Sequence, residues 1–319
     1  RKLNMRVFIF PGQGSQKVGM GKMWYDTYPE AKRIFQKVDQ ILDEPLSKII
    51  FEGSDELLTR TENAQPAILT TSIAMLEVIK AYKNIDIPKF CCATAGHSLG
   101  EYTALYASGA IDLESVVKLV KYRGQLMSKS DKSGNGKMTA IIGLEIDHLR
   151  KLINNFEHKG VCELANDNSN GQVVISGDKY AVDEFKNHAK KEGAKLTIDL
   201  KVSAPFHCSL MKQAADQMEK KLKSISFSSP KPIVYFNVNG SPSNQKEKFP
   251  VLLSKQIIST VKWREIIESM ANVSGPYPHV DKFFEIGPGN VLTSLVKKII
   301  KNGECFSIQN PDDMDNFNK

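Results

Sequence analysis

The run FCCATA (90–95) passes without a break into Gly96-His97-Ser98-Leu99-Gly100, and a helical pattern follows over 99–106. An apolar run, two glycines bracketing a serine and an immediate helix leave one local solution: a buried strand, a sharp turn and a helix laid back on the sheet. The glycines permit the tight turn, which lifts Ser98 into a strained, exposed position. The helix N-terminus, with the backbone N–H of Leu99, is then placed to stabilise developing negative charge. A chain with this feature is expected to be an α/β protein, and the rest of the sequence agrees.

MRVFIF (5–10) reads as a buried strand ended by Pro11 and Gly12, and FFEIG (283–287) as another. Residues 64–82 form a core helix, apolar nearly all round, and 112–128 a helix opened by Asp112 as N-cap. Gly134 and Gly136 mark a change of texture. From 138 to 200 the order is strand (MTAIIG), helix (146–155), strand (GVCELAN), strand (QVVISG), helix (179–192) and strand (KLTIDL), which is the βαββαβ order of the ferredoxin-like split motif. A helix at 209–223, a strand near 232–238 and helices near 248–257 and 263–272 follow. The 319 residues allow one large domain or two ordinary ones. The expected architecture is α/β: a large α/β-hydrolase-like domain with a parallel sheet (1–130 and 204–319), interrupted by a small ferredoxin-like α+β domain (131–203). The polar tail NPDDMDNFNK is expected to be loosely held.

Composition excludes several classes. Mean hydropathy is −0.29 and no apolar stretch approaches the roughly 20 residues of a membrane span. Cys91 and Cys92 are adjacent in an apolar run and Cys162, Cys208 and Cys305 stand alone, so the five cysteines read as reduced thiols rather than a disulfide framework or zinc site. No metal and no cofactor are expected. The net charge is +7, from 43 Lys and Arg against 36 Asp and Glu, and only seven of the 43 are Arg. Such lysines read as solvated helix faces, the alternative being steering towards an acidic partner. Nucleic acid is excluded, because no basic tract is interleaved with aromatics. The first residue is Arg1, not Met, which reads as a trimmed start.

A serine nucleophile needs a base within hydrogen-bond reach. Among six histidines, His148, His158 and His188 fall on polar faces or ends of the inserted domain and read as solvated. His97 neighbours the serine but should diverge from it and pack or cap, and His279 sits in a Pro-rich loop. His207, in SAPFHCSLM, opens a helix where the chain re-enters the large domain, and is the candidate base. FPGQGSQ (10–16) lacks the third glycine of a dinucleotide fingerprint, and Gly134-Asn135-Gly136-Lys137-Met138 lacks the Ser or Thr of a P-loop. Gln13, flanked by glycines, can instead offer its backbone N–H as a second oxyanion donor. Arg123, in the apolar helix pattern LVKYRGQLM, either pairs with a carboxylate of the chain or snorkels, or else binds a substrate carboxylate with its planar fork.

FPGQGSQ, GHSLGEY, the YRGQLM helix, NDNSNGQVVISG, SAPFHCSLM, the 256–263 segment and FEIGPGNVL occur in one order, and together they resemble the malonyl-CoA:acyl carrier protein transacylases of fatty-acid synthesis. The resemblance covers about 5–300 and implies roles. Ser98 would be acylated, with His207 as its base and later acid, and Gln256 would orient that histidine through its carbonyl, so no triad Asp is needed. The amides of Gln13 and Leu99 would form the oxyanion hole. Arg123 would hold the malonyl carboxylate, and Met127, Asn168 and Phe206 would line the substrate site, Phe206 filling the space of an α-methyl. The family usually has Pro where Asn170 stands.

The implied activity is [acyl-carrier-protein] S-malonyltransfer by a ping-pong route, with malonyl-CoA and an acidic acyl carrier protein as partners and the chain a monomer. Alternatives are an α/β-hydrolase-type thioesterase or esterase, for which Asp167, Asp178, Asp183 and Asp199 lie between Ser98 and His207 but all in the inserted domain, and a non-catalytic homologue that docks carrier proteins. Heavy use of Lys and Asn suggests the stroma of an apicoplast-type plastid if the source is eukaryotic, and the cytoplasm if it is bacterial.

Overall fold

Strand β1 (Arg6–Phe10) shows how the sheet is built. Val7, Phe8, Ile9 and Phe10 are all fully buried, as in a strand covered on both faces. Val7 and Ile9 point into one apolar cluster, with Trp263, Ile266 and Leu295, while Phe8 and Phe10 point into the other, with Ile68, Leu69 and Phe284. This is the period of two a strand imposes.

A computed structural model describes residues 5–319 apart from 132, 203, 273 and 278. The expected boundary at Ser203 and the chain start at Arg1 lie outside the described residues. The further strands are β2 (Ala93–Gly96), β3 (Gly136–Ile142), β4 (Cys162–Ser169), β5 (Gln172–Asp178), β6 (Leu196–Asp199), β7 (Ile233–Tyr235), β8 (Pro242–Ser243), β9 (Lys282–Ile286) and β10 (Glu304–Ile308). One sheet has the order β10-β9-β1-β2-β7-β8 and is parallel except for the short β8 at its edge. The protein is thus a mixed α/β fold with a parallel sheet. The second sheet, β4-β5-β3-β6, is antiparallel. Helices Ile146–Asn155 and Lys179–Lys191 close one of its faces over Ile141, Leu149, Ile175 and Phe185. Met138, Ala140, Ala165 and Val174 belong instead to the core of the larger unit.

Three stretches differ from expectation. The run 90–95 is not all strand, because Pro88 near the start of a one-turn helix, Ile87–Phe90, sets helical backbone there, and β2 begins only at Ala93. The tail is not loose: Asn310 and Asp313 form a capping box, Met314 and Phe317 are buried, and Phe317 stacks on Phe284 at 4.8 Å. His158 and His188 are not simply solvated, since both are half-buried and pack on Phe156, His188 stacking at 4.9 Å.

The second sheet is tied to the larger unit through Val261, which lies outside both sheets. Asp167 N donates to Val261 O at 2.9 Å and Val261 N to Ala165 O at 2.8 Å. The carboxylate of Asp167, fully buried, takes two bonds from Arg264, at 3.1 and 2.9 Å. A charge so buried persists only because it is paired.

Candidate active site

The elbow forms because its glycines admit backbone where a side chain would collide. A Cβ on Gly96 would lie 1.8 Å from Gly100 O, and one on Gly100 2.1 Å from Phe10 O. Helix Gly100–Ala107 therefore packs directly against the ends of β1 and β2. Ser98, between them, has φ 52°, a strained value for a residue with a side chain. Gly100→Ala should consequently lower both the melting temperature and the rate at which Ser98 is acylated; an unaltered protein would show that the elbow tolerates rearrangement.

His207, 109 residues downstream, places Nε2 at 2.8 Å from Ser98 Oγ. Its Nδ1 is 2.8 Å from Gln256 O. A carbonyl only accepts, so Nδ1 carries the proton and Nε2 is left as acceptor facing the serine hydroxyl. None of Asp167, Asp178, Asp183 and Asp199 serves: Asp167 is held by Arg264, Asp178 by Val161 N, and Asp183 and Asp199 by Lys137. His207 also has positive φ, 58°.

Burial, and then the Arg123 guanidinium, push the His207 imidazolium down to about 3. An imidazole neutral at every ordinary pH is a base ready to accept. The acid limb of the acylation rate should therefore lie well below 6.5; a limb at 6.5 would mean that the histidine is solvated. In the unfolded chain the ring protonates near its ordinary value of about 6.5 and in the folded one it does not, so this residue withdraws stability as pH falls through that range.

Arg123, only 1% exposed, reaches the nucleophile from helix Leu113–Lys129. Its Nη2 donates to Ser98 Oγ at 3.2 Å and to Gln256 Oε1 at 2.7 Å, its Nη1 to Gln65 Oε1 at 2.7 Å, and the guanidinium lies 5.4 Å from the Tyr102 ring centre. Among the described residues no carboxylate hydrogen-bonds it, although Tyr102 and the buried Glu101 carboxyl stand near enough to favour its charge, and Nε has no hydrogen-bond partner. That choice, left open by spacing, narrows: a cation beside the nucleophile is held by two neutral amides, leaving room for an anionic ligand.

Met127 is buried and its sulfur accepts from Gln65 Nε2 at 3.5 Å. Phe206 is buried beside His207. His97 turns away from Ser98 and donates through Nε2 to Asn168 Oδ1 at 2.7 Å while packing on Trp263, which brings Asn168 against the elbow. Leu99 stands at the N-terminus of the elbow helix, where backbone N–H groups lack intrahelical acceptors. Gln13 follows β1, held by a bond from its Nε2 to Thr61 Oγ1 at 3.1 Å. A cavity of about 560 Å³ opens beside His207, lined among others by Arg150, Glu163, Leu164, Val238 and Lys262.

Three further residues, none of them a candidate from the sequence, stand at the site. Gln65 lies fully buried in helix Thr61–Tyr82, whose other buried polar residues, Asn63, Thr70, Thr71 and Ser72 among them, hide it in the sequence. Glu101, fully buried, accepts from Asn237 N at 2.6 Å, and burial raises its carboxyl to about 8. Asn237 follows the three-residue β7 and carries no signal in sequence. Among the described residues no group of three His, Cys, Asp or Glu side chains could hold a metal ion, and no helix is long and apolar enough to cross a membrane.

A serine on a strand–turn–helix elbow, a histidine held against its hydroxyl by a carbonyl and a buried arginine beside them are the arrangement that a serine enzyme of acyl transfer requires. The chain matches the acyl transferase domain over residues 7–312 and belongs to that family. It is 41% identical over 307 residues to the malonyl CoA-acyl carrier protein transacylase of Bacillus subtilis (strain 168), covering 96% of this chain and 94% of the relative. A solved acyl-carrier-protein S-malonyltransferase from Bartonella henselae superposes with a TM-score of 0.93 at 38% identity, over 98% of each chain. A malonyl-transacylase solved with a holo acyl-carrier protein of a type II polyketide system superposes with a TM-score of 0.91 at 34% identity, over 97% of each.

Proposed function

We propose that this chain is an [acyl-carrier-protein] S-malonyltransferase of fatty-acid biosynthesis, moving the malonyl group from malonyl-CoA to the phosphopantetheine thiol of an acyl carrier protein. The observation that carries the reading is Arg123: a buried cation whose Nη atoms bond two neutral amide oxygens and the Ser98 hydroxyl suits an acyl group that ends in a carboxylate.

Ser98 Oγ attacks the thioester carbon while its proton passes to His207 Nε2. The N–H groups of Leu99 and Gln13 receive the oxyanion. The carbon–sulfur bond breaks, the CoA thiolate takes the proton from His207, and malonyl-serine remains. The carrier thiol then gives its proton to His207, attacks the ester and releases Ser98, which recovers that proton. The Gln256 carbonyl holds His207 throughout, and Asn168, Met127 and Phe206 shape the acyl site. Water must be kept from the acyl-serine, and a site walled by both sheets supports that exclusion. Intact mass of the enzyme after malonyl-CoA, before and after carrier is added, tests the reading: a malonyl adduct should form and then discharge onto the carrier, whereas free malonate would mark a hydrolase.

The division into a large α/β-hydrolase-like domain (1–130 and 204–319) and a ferredoxin-like insertion (131–203) is supported by the strand order β4-β5-β3-β6 with two helices on one face. One chain carries every group named above, which supports a monomer. Five free cysteines support a reducing compartment, cytoplasmic or plastid stroma.

The carrier is acidic and this chain is +7, so opposite fields should speed their encounter. Raising salt from about 0.05 to 0.5 M shortens the Debye length from roughly 14 to 4 Å. Transfer to the carrier should slow clearly more than transfer to free pantetheine, using a phosphate-free malonyl donor. Equal responses would reduce the charge to a solvated surface.

A further inference from the structure

The strained elbow at Ser98 is held by side chains from outside it. Asn237 lies fully buried, just beyond β7. Its Oδ1 accepts from Ser98 N at 2.7 Å and its Nδ2 donates to Gly96 O at 2.7 Å, so one amide spans the turn. Gln256 Nε2 adds a bond to Ser98 O at 2.9 Å. Asn237 is itself fixed at both backbone ends: its N–H donates to Glu101 Oε2 at 2.6 Å, and its carbonyl accepts from Lys262 N at 3.0 Å. The other Glu101 oxygen, also buried, has no partner. A carboxyl buried with one oxygen orphaned needs a reason, because an apolar residue there would avoid that cost.

We propose that Asn237, itself set by Glu101, is a positioning residue for the nucleophile: its amide clamps Gly96 and Ser98 and so aims the serine hydroxyl at His207. The clamp has a chemical corollary. With Ser98 N committed to Asn237, the oxyanion donors must come from elsewhere, as the assignment to Leu99 and Gln13 requires. The proposal deepens the proposed function and rests on its reading of Ser98 as the nucleophile, not on the identity of the acyl group.

The test compares Asn237→Ala, Asn237→Asp and Glu101→Gln with wild type, using labelling of Ser98 by a fluorophosphonate, kcat and KM for malonyl transfer, and melting temperature. The probe needs neither Arg123 nor a carrier. A displacement of about 1 Å at a reacting atom costs on the order of 10²-fold, so Asn237→Ala should slow labelling and kcat by about that factor while KM holds. Glu101→Gln keeps an acceptor for Asn237 N, so labelling should slow less than in Asn237→Ala. Asn237→Asp gives the discriminating signature. As a carboxylate it still accepts from Ser98 N but repels Gly96 O, whereas as an acid it restores both bonds. Its activity relative to wild type should therefore rise as pH falls. Burial should raise the introduced acid above the ordinary carboxyl value and Arg123 should oppose it, while burial lowers both His207 and His97. Labelling of Asn237→Ala at the wild-type rate would overturn the proposal. So would a flat Asn237→Asp ratio with a lowered melting temperature, which would mean that the residue only stabilises the fold. If wild type labels at Ser98 and Asn237→Ala does not, yet neither takes up malonyl, the clamp stands and the malonyl reading falls.

Discussion

Ser98→Ala should leave the enzyme unable to form any malonyl adduct, with transfer falling by on the order of 10⁵- to 10⁶-fold, the scale on which a serine–histidine pair loses its nucleophile. Among the described residues no other hydroxyl lies at the N-terminus of a helix with a neutral imidazole 2.8 Å away. His207→Ala should cost nearly as much, because in the proposed route one ring nitrogen accepts the proton in each attack and returns it to each departing group. The double variant should be scarcely worse than either alone, since the two side chains act as one unit. Intact mass after incubation with malonyl-CoA reads all three. A Ser98→Ala protein gaining the malonyl mass would sink the assignment, and a double variant far below the singles would mean that the pair does not work together.

The parts legible in the sequence were those set by local rules. The elbow announced itself because an apolar run, two glycines and a helix must be adjacent in the chain. The order of the six elements over 138–200 follows from alternating periodicities, and the structure has helices at Ile146–Asn155 and Lys179–Lys191 where the apolar spacing put them. The start of β2 was misread because apolar residues mark burial without saying whether the backbone is extended or helical. The tail differs from expectation because its polar composition hides Met314 and Phe317, and Phe317 packs on an aromatic cluster assembled from the distant Phe8, Phe90 and Phe284. Asn237 and Gln65 act across 139 and 58 residues of sequence, on Ser98 and Arg123, and no local pattern reports such a distance. Ser98, His207 and Arg123 were legible together only through the ordered motifs around them.

Arg123→Ala should lose malonyl transfer far more than acetyl transfer. Truncating one member of a buried charge pair costs about 2–5 kcal/mol, which a malonyl carboxylate would suffer and an acetyl group would not. The geometry sharpens this expectation. Arg123 Nη1 and Nη2 each contact a glutamine oxygen at 2.7 Å, so the guanidinium plane is set before substrate arrives. An entering carboxylate meets a fixed fork, and little ordering entropy is left to lose. Arg123→Lys should therefore rescue poorly, because an ammonium keeps the charge but cannot bond Gln65, Gln256 and a carboxylate in one plane. Acetyl transfer should fall modestly as well, since Gln256 Oε1 loses its donor while Gln256 Nε2 still holds Ser98 O. The ratio of malonyl to acetyl kcat/KM, measured for wild type and both variants, separates specificity from scaffolding. An equal fall with both donors would make Arg123 a strut for Gln65 and Gln256, and the malonyl preference would then have to come from the shape formed by Met127 and Phe206.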